Sequence, residues 1–215
     1  MSELIDIPSP GESLRHGTPG NPLVVVLHDW YGRLPGVDSY ASALARVGFR
    51  VVVPDLYDGV ATQDAPTAEE LMNQLDVATS LALVDDEILT ARDDGSHRFA
   101  VVGFSMGGWL GMLHAQGGAT DAVVAYYATL APSQHGVIPC PVQLHFAERD
   151  EWGEGELPQE FIGRLKDHGT PVNDNTYLGT VHSFANGSMP EYFDAAESAL
   201  AFARTASFLE DQLAD

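Results

Sequence analysis

The chain has 215 residues and a mass of 23.1 kDa, and 45 % of its residues are hydrophobic, which suffices for a substantial core in one folded domain. Its 31 acidic residues outnumber 10 basic ones, and the formal net charge of −21 would repel nucleic acids and anionic membranes. Lys166 is the only lysine. This composition fits a surface adapted to high salt, and it fits equally a GC-rich coding bias on an ordinary acidic protein.

The sequence carries no sign of export or of a membrane anchor. Cys140 is the sole cysteine, so no intrachain disulfide can form. Residues 1–6 lack a basic segment followed by an apolar one, and no stretch approaches the roughly 18 apolar residues that a membrane span needs. We therefore expect a cytoplasmic protein without a membrane partner, and the sequence leaves open whether it is a monomer or a homodimer.

Short apolar runs rich in β-branched residues alternate along the chain with longer helical patterns. Such alternation is typical of a parallel sheet covered by helices on both faces. The runs predict buried strands at 23–27, 50–54, 99–102, 122–127 and 142–146, with a weaker sixth strand at 175–178. Because no linker divides the chain, residues 1–215 are expected to form a single α/β domain with a mostly parallel sheet.

Apolar spacing predicts the helices between and after these strands. A first helix is expected over about 36–47. Thr67 and Glu70 match a capping box, which predicts one long helix from there to about 93–95. Pro190 suits the first turn of a closing helix. Its apolar stripe is predicted to consist of Ala196, Leu200, Ala203, Ala206 and Leu213. The Gly/Pro-rich segment 8–22 is expected to be a loop.

The segment Gly103-Phe104-Ser105-Met106-Gly107-Gly108 follows a predicted strand and opens a helical run. This is the context of a G-x-S-x-G nucleophile elbow, in which a serine stands on a strained turn between strand and helix. Glycines flank the serine because a Cβ there would collide with neighbouring backbone. The start of the helix adds partial positive charge where an oxyanion would form. Ser105 is therefore the candidate nucleophile.

A serine hydroxyl needs a histidine base, and the base needs a carboxylate to hold its tautomer. Asp150 follows the strand at 142–146 and His182 follows the weak strand at 175–178, where the carboxyl ends of parallel strands gather. Most of the other histidines are less suitable: His114 falls inside the elbow helix and His145 inside a strand, and the remaining three of this group, His97, His135 and His168, lie in polar turns or at helix ends. Glu148 and Glu151 are neighbours that could take the place of Asp150.

The loop after the first strong strand, 28–32, is expected to face the elbow. The backbone N–H groups of Trp30 and Met106 would then form an oxyanion hole, contributing on the order of 3 kcal/mol per donor. Asp29 is either a polar group of the pocket or a solvated loop acid. The aromatic residues predicted to line an apolar pocket are Tyr31, Tyr57, Trp152 and Phe184, together with Trp30, although each could equally be ordinary packing.

From Pro22 onward the chain resembles the dienelactone hydrolase family of α/β-hydrolases. The matching segments are 28–32, 53–57, the elbow at 103–108, 145–150 and 182–184. The resemblance implies the α/β-hydrolase fold, hydrolysis of an ester or lactone without metal or cofactor, and a triad of Ser105, Asp150 and His182.

Four departures from the family pattern bear on the nucleophile and the substrate. Ser105 stands where dienelactone hydrolases proper use cysteine, and Asp29 replaces a longer glutamate. The two arginines that bind a substrate carboxylate in the family are replaced by Asp58-Gly59 and by Asn186. We therefore expect a small, uncharged ester or lactone as substrate. The alternatives are a thioesterase, an acyl-peptide hydrolase or a perhydrolase on the same triad, or a binding protein without turnover.

Overall fold

A computed structural model of the chain describes residues 4–151 and 157–214. Trp152, one of the predicted pocket residues, lies outside the described residues. Within them the elements are β1 (Leu4–Asp6), β2 (Leu14–His16), β3 (Leu23–Leu27), α1 (Pro35–Val47), β4 (Arg50–Val53), β5 (Val60–Thr62), α2 (Ala65–Asn73), α3 (Val77–Asp93), β6 (Phe99–Phe104), α4 (Met106–Ala115), β7 (Ala122–Tyr126), a 3₁₀ turn (Pro132–Gln134), β8 (Val142–Arg149), α5 (Pro158–Asp167), β9 (Val172–Val181) and α6 (Ala195–Leu213).

Most of the described strands form one sheet, in the order β2-β4-β3-β6-β7-β8-β9. The edge strand β2 runs antiparallel to β4, and every other neighbouring pair in this sheet is parallel. Strands β1 and β5 form a separate antiparallel pair. The predicted α/β architecture with a mostly parallel sheet is confirmed, and the carboxyl ends of β3, β6, β7, β8 and β9 lie along one edge.

Helices cover both faces of the sheet because the buried strands carry apolar side chains on both sides. Alternate residues of β3 show this: Leu23, Val25 and Leu27 pack with α3, α4 and α5, whereas Val24 and Val26 pack with α1 and α6. The central strands β3, β6 and β7 are buried along their full length. In the described ranges, no helix is both long and apolar enough to cross a membrane.

The predicted long helix after Thr67 is wrong in its start and in its continuity. Asp64, not Thr67, caps the first helix, and its carboxylate accepts a hydrogen bond from the Thr67 backbone N–H. The chain then breaks between α2 and α3, where Asp76 caps the second helix by accepting from the N–H of Thr79. The apolar pattern runs through this break, which is why periodicity alone predicts one helix.

Two further segment predictions are corrected. The segment 8–22 is not all loop, because it contains β2, which pairs with β4. The closing helix begins at Ala195 rather than near Pro190, since Asp194 accepts hydrogen bonds from two backbone N–H groups of its first turn. The predicted stripe is confirmed at Ala206 and Leu213 and wrong at Ala196, Leu200 and Ala203, which are exposed. The buried residues of α6 are Ala201, Thr205, Ala206, Leu209 and Leu213.

Candidate active site

Ser105 stands on the turn between β6 and α4 with a backbone φ of 50° and ψ of −114°, a strained conformation for a residue with a side chain. The turn is tight on both sides. A Cβ at Gly103 would overlap the carbonyl group of Gly107, and a Cβ at Gly107 would overlap the carbonyl oxygens of Leu27 and His28. The glycines thus let α4 begin directly against the ends of β6 and β3.

Ser105, His182 and Asp150 form one hydrogen-bonded chain. The Oγ atom of Ser105 lies 2.8 Å from Nε2 of His182, and Nδ1 of His182 lies 2.8 and 2.9 Å from the two carboxylate oxygens of Asp150. The Asp150 carboxylate only accepts, so Nδ1 carries the proton and Nε2 is left to accept from the serine hydroxyl. The side chain of Asp150 is 2 % exposed and that of His182 is 37 % exposed, so the acid is shielded while the imidazole reaches the surface.

Two other histidines and Glu148 are engaged elsewhere. His114 is buried and pairs with Asp85 of α3, and His145 is buried in β8. Burial lowers the pKa of His145 to about 3, so it stays neutral at ordinary pH. Glu148 accepts a hydrogen bond from the backbone N–H of Gly179, away from His182. In the described chain, Asp150 is the carboxylate bound to His182.

The loop that follows β3, here called the β3 loop (residues 28–32), is held by buried polar groups. Nδ1 of His28 donates to the backbone oxygen of Asp29, and Nε2 accepts from the N–H of Leu56. Burial lowers the pKa of His28 to about 4. Burial likewise raises the pKa of Asp29 to about 6, although hydrogen bonds from Asn186 and Tyr31 and the nearby His182 oppose the shift.

A cleft of about 610 Å³ opens over Ser105 and His182. Its largely apolar lining consists of Trp30, Met72, Met106, Trp109, Tyr127, Ala128 and Ala131. Its polar lining consists of Thr129, Ser133, Gln134 and Glu151. Trp30 and Met106, the two residues predicted to supply oxyanion donors, thus border the same cleft as the serine.

The other predicted pocket residues that the structure describes do not line this cleft. Phe184 is 0 % exposed and packs in the core against Tyr127 and Tyr177. Tyr31 is buried beside Leu34 in a satellite cluster. Asp29 is also buried rather than solvated. Tyr57 lines a separate pocket and contacts the cleft residue Met106, to whose sulfur its hydroxyl donates at 3.2 Å.

Sequence reasoning missed several residues that do border the cleft. Tyr127 directly follows β7, and its ring lies 4.8 Å from that of His182. Its position at a strand end is the same signal that identified Asp150, so it could have been found. Trp109 and Met72 lie on helices, where nothing in the sequence distinguishes a cleft residue from a packed one.

Comparison with known proteins decides the family. The sequence model of the dienelactone hydrolase family matches residues 14–213 of the chain. The chain belongs to the dienelactone hydrolase family. It is therefore a hydrolase of the dienelactone hydrolase type. The resemblance inferred from the motifs is confirmed.

Individual relatives have low sequence identity to this family member, but the matches extend over most of its length. It is 28 % identical to carboxymethylenebutenolidase 1 of Cupriavidus pinatubonensis, over 89 % of this chain and 87 % of that protein. It is 25 % identical to protein usf of Aquifex pyrophilus, over 99 % of this chain and 100 % of that protein. Its fold is similar to a crystal structure from Klebsiella pneumoniae assigned as a dienelactone hydrolase, with a TM-score of 0.75, 20 % identity and coverage of 95 % and 97 % of the two chains.

The cleft lining that the structure describes is acidic rather than basic in its Asp, Glu, Lys and Arg content. Of the described residues that line the cleft, none is a lysine or an arginine, and Glu151 is acidic. Asn186, which stands where the resemblance led us to expect an arginine, is buried and hydrogen bonded to Asp29. In the part of the chain that the structure describes, no group of three or more His, Cys, Asp or Glu side chains is arranged to hold a metal ion.

Proposed function

We propose that this dienelactone hydrolase family member is a serine hydrolase that cleaves a carboxylic ester or lactone through an acyl-enzyme. The observation that carries the proposal is the continuous hydrogen-bonded chain from Ser105 through His182 to the buried Asp150. Relatives named carboxymethylenebutenolidase support ester or lactone hydrolysis as the reaction class.

In the proposed mechanism, Oγ of Ser105 attacks the carbonyl carbon while Nε2 of His182 takes the hydroxyl proton. Asp150 stabilises the imidazolium that forms. The negative charge moves to the carbonyl oxygen, where the N–H groups of Trp30 and Met106 would bind it. The tetrahedral intermediate collapses, the alkoxide leaves with the proton from His182, and an acyl ester on Ser105 remains. Water, activated by the same histidine, then releases the acid and restores the serine.

The substrate that we propose is small and uncharged. The cleft of about 610 Å³ suits a small ligand, and its aromatic and methionine side chains favour an apolar acyl or alcohol group. An anionic substrate would find no arginine or lysine among the described lining residues and would meet Glu151. The net charge of −21 acts in the same direction.

Two measurements on wild type and Ser105→Ala test the proposal. The first is hydrolysis of p-nitrophenyl esters from acetate to octanoate, and the second is labelling by a fluorophosphonate probe, which reacts with activated serines. We expect turnover and labelling in the wild type and neither in the variant, with both proteins folded by circular dichroism. Turnover that survives in Ser105→Ala would refute the mechanism. A labelled wild type that releases no p-nitrophenol would direct the search to lactones and thioesters.

A further inference from the structure

The carboxylate of Asp29 joins the two loops that carry the proposed oxyanion donor and the proposed base. Its Oδ1 accepts a hydrogen bond from the backbone N–H of Tyr31 at 3.0 Å, inside the β3 loop. Its Oδ2 accepts from Nδ2 of Asn186 at 2.7 Å. Asp29 is 1 % exposed and Asn186 is 6 % exposed, so water does not compete for the hydrogen bond between them.

Asn186 in turn holds the segment that follows β9, here called the β9 loop (residues 182–189). Its backbone N–H donates to the oxygen of Ser183 at 2.9 Å, which closes the turn directly after His182. Its Oδ1 accepts from the backbone N–H of Ser188 at 2.9 Å. The Ser188 hydroxyl then accepts from the N–H of Gly36, so the β9 loop is also fixed to the start of α1.

Asp29 does not contact the nucleophile through these hydrogen bonds. Both carboxylate oxygens of Asp29 are engaged with Tyr31 and Asn186, whereas Oγ of Ser105 is bonded to His182. Neither Asp29 nor Asn186 borders the cleft over Ser105. Their effect on the reaction therefore has to pass through the backbone of the two loops.

We propose that Asp29 and Asn186 are a positioning pair whose hydrogen bond fixes the Trp30 N–H and the His182 imidazole relative to one another. The inference rests on the proposed function, because it assigns the pair a purpose only if these two groups act on the same reacting carbonyl. Misplacement of such groups by about 1 Å costs up to about 100-fold in rate.

The pattern of donors and acceptors provides a sharp test. Asp29→Asn turns one acceptor into an NH₂ group that faces the NH₂ group of Asn186. Asn186→Asp brings two carboxylates together where the bond of 2.7 Å now lies. The double variant D29N/N186D restores one donor facing one acceptor, and it keeps an oxygen for the N–H of Tyr31 and another for the N–H of Ser188.

The experiment measures kcat and KM for p-nitrophenyl acetate, the rate constant of fluorophosphonate labelling and the melting temperature in wild type, both single variants and the double variant. We expect each single variant to lose about 10- to 100-fold in kcat and in labelling rate, with KM changed less than about 3-fold. We expect the double variant to regain most of that loss. Asn186→Ala, which leaves Asp29 bound to Tyr31, provides a further variant if a single charge change prevents folding.

The outcomes separate the inference from the proposed function. Single variants with wild-type kcat and labelling rates, even at a lowered melting temperature, would reduce the pair to a structural contact. A double variant no better than the single variants would equally overturn the inference. If the wild type itself shows no labelling at Ser105, the proposed function fails and the inference fails with it.

Discussion

Both oxygens of the Asp150 carboxylate lie within hydrogen-bond distance of Nδ1 of His182, at 2.8 and 2.9 Å. The single Nδ1–H is thus shared between two acceptors on a side chain that is 2 % exposed. Such an arrangement keeps the proton on Nδ1 and leaves Nε2 to accept from Ser105. It also places a negative charge where an imidazolium would form during attack.

Asp150→Asn should lower kcat for p-nitrophenyl acetate by about 10,000-fold, because an amide no longer fixes the tautomer of His182 and no longer offsets its positive charge. Glu148→Gln is the matched control, since it removes the neighbouring carboxylate but keeps an oxygen for the N–H of Gly179. We expect that variant to retain most of the activity. A larger loss of kcat in Glu148→Gln than in Asp150→Asn would show that Asp150 is not the acid of the triad.

The strands and the elbow were predictable because their signals are local. The buried runs of β3, β6 and β7 are short, apolar and β-branched, and the glycines around Ser105 mark a turn that only small residues permit. The rule that sites gather at the carboxyl ends of parallel strands then selected Asp150 and His182 without any knowledge of distances.

The helix starts and the pocket residues were less predictable for two different reasons. Asp64, Asp76 and Asp194 all cap helices, but an aspartate in a polar segment is equally common in loops, so the caps become evident only from their hydrogen bonds. Phe184 and Tyr127 are both aromatic residues at strand or loop ends. Whether such a ring borders a cleft or fills the core depends on the path of chain segments far away in sequence, which periodicity does not encode.

Gly107→Ala should destabilise the fold by about 3 kcal/mol or more, because its Cβ would overlap the backbone oxygens of Leu27 and His28 and push α4 away from β3. Gly163→Ala in α5 is the matched control. Apart from its chain neighbours and the backbone of its own helix, no described atom lies within 4 Å of a Cβ built there, so the added methyl group should raise stability by about 0.5 to 1 kcal/mol. Urea unfolding of both variants measures the difference. Equal stability of the two variants would contradict the close packing of the elbow.

Acid should destabilise the protein through its buried neutral histidines. The pKa of His145 is lowered by burial to about 3, whereas an unfolded histidine titrates at 6.5. Between those values the unfolded chain binds a proton that folded His145 does not, so the free energy of unfolding falls as the pH falls from 6.5 to 4, by roughly 3 kcal/mol. His145→Gln should lose correspondingly less stability over that range in urea titrations at constant salt. Equal losses in wild type and variant would exclude this contribution.

Glu151 should make the enzyme discriminate against anionic esters, because it contributes a carboxylate to a cleft whose described lining has no lysine or arginine. Glu151→Gln should raise kcat/KM for a p-nitrophenyl ester with a free carboxylate by about 3-fold and leave kcat/KM for p-nitrophenyl acetate unchanged. At about 1 M salt the gain for the anionic ester should disappear, because salt screens exposed charges. Glu160→Gln, the same charge change at an exposed position of α5, should alter kcat/KM for neither ester. Equal gains for both esters in Glu151→Gln would mean that the residue acts on cleft shape, and equal gains in the two variants would mean that only net charge matters.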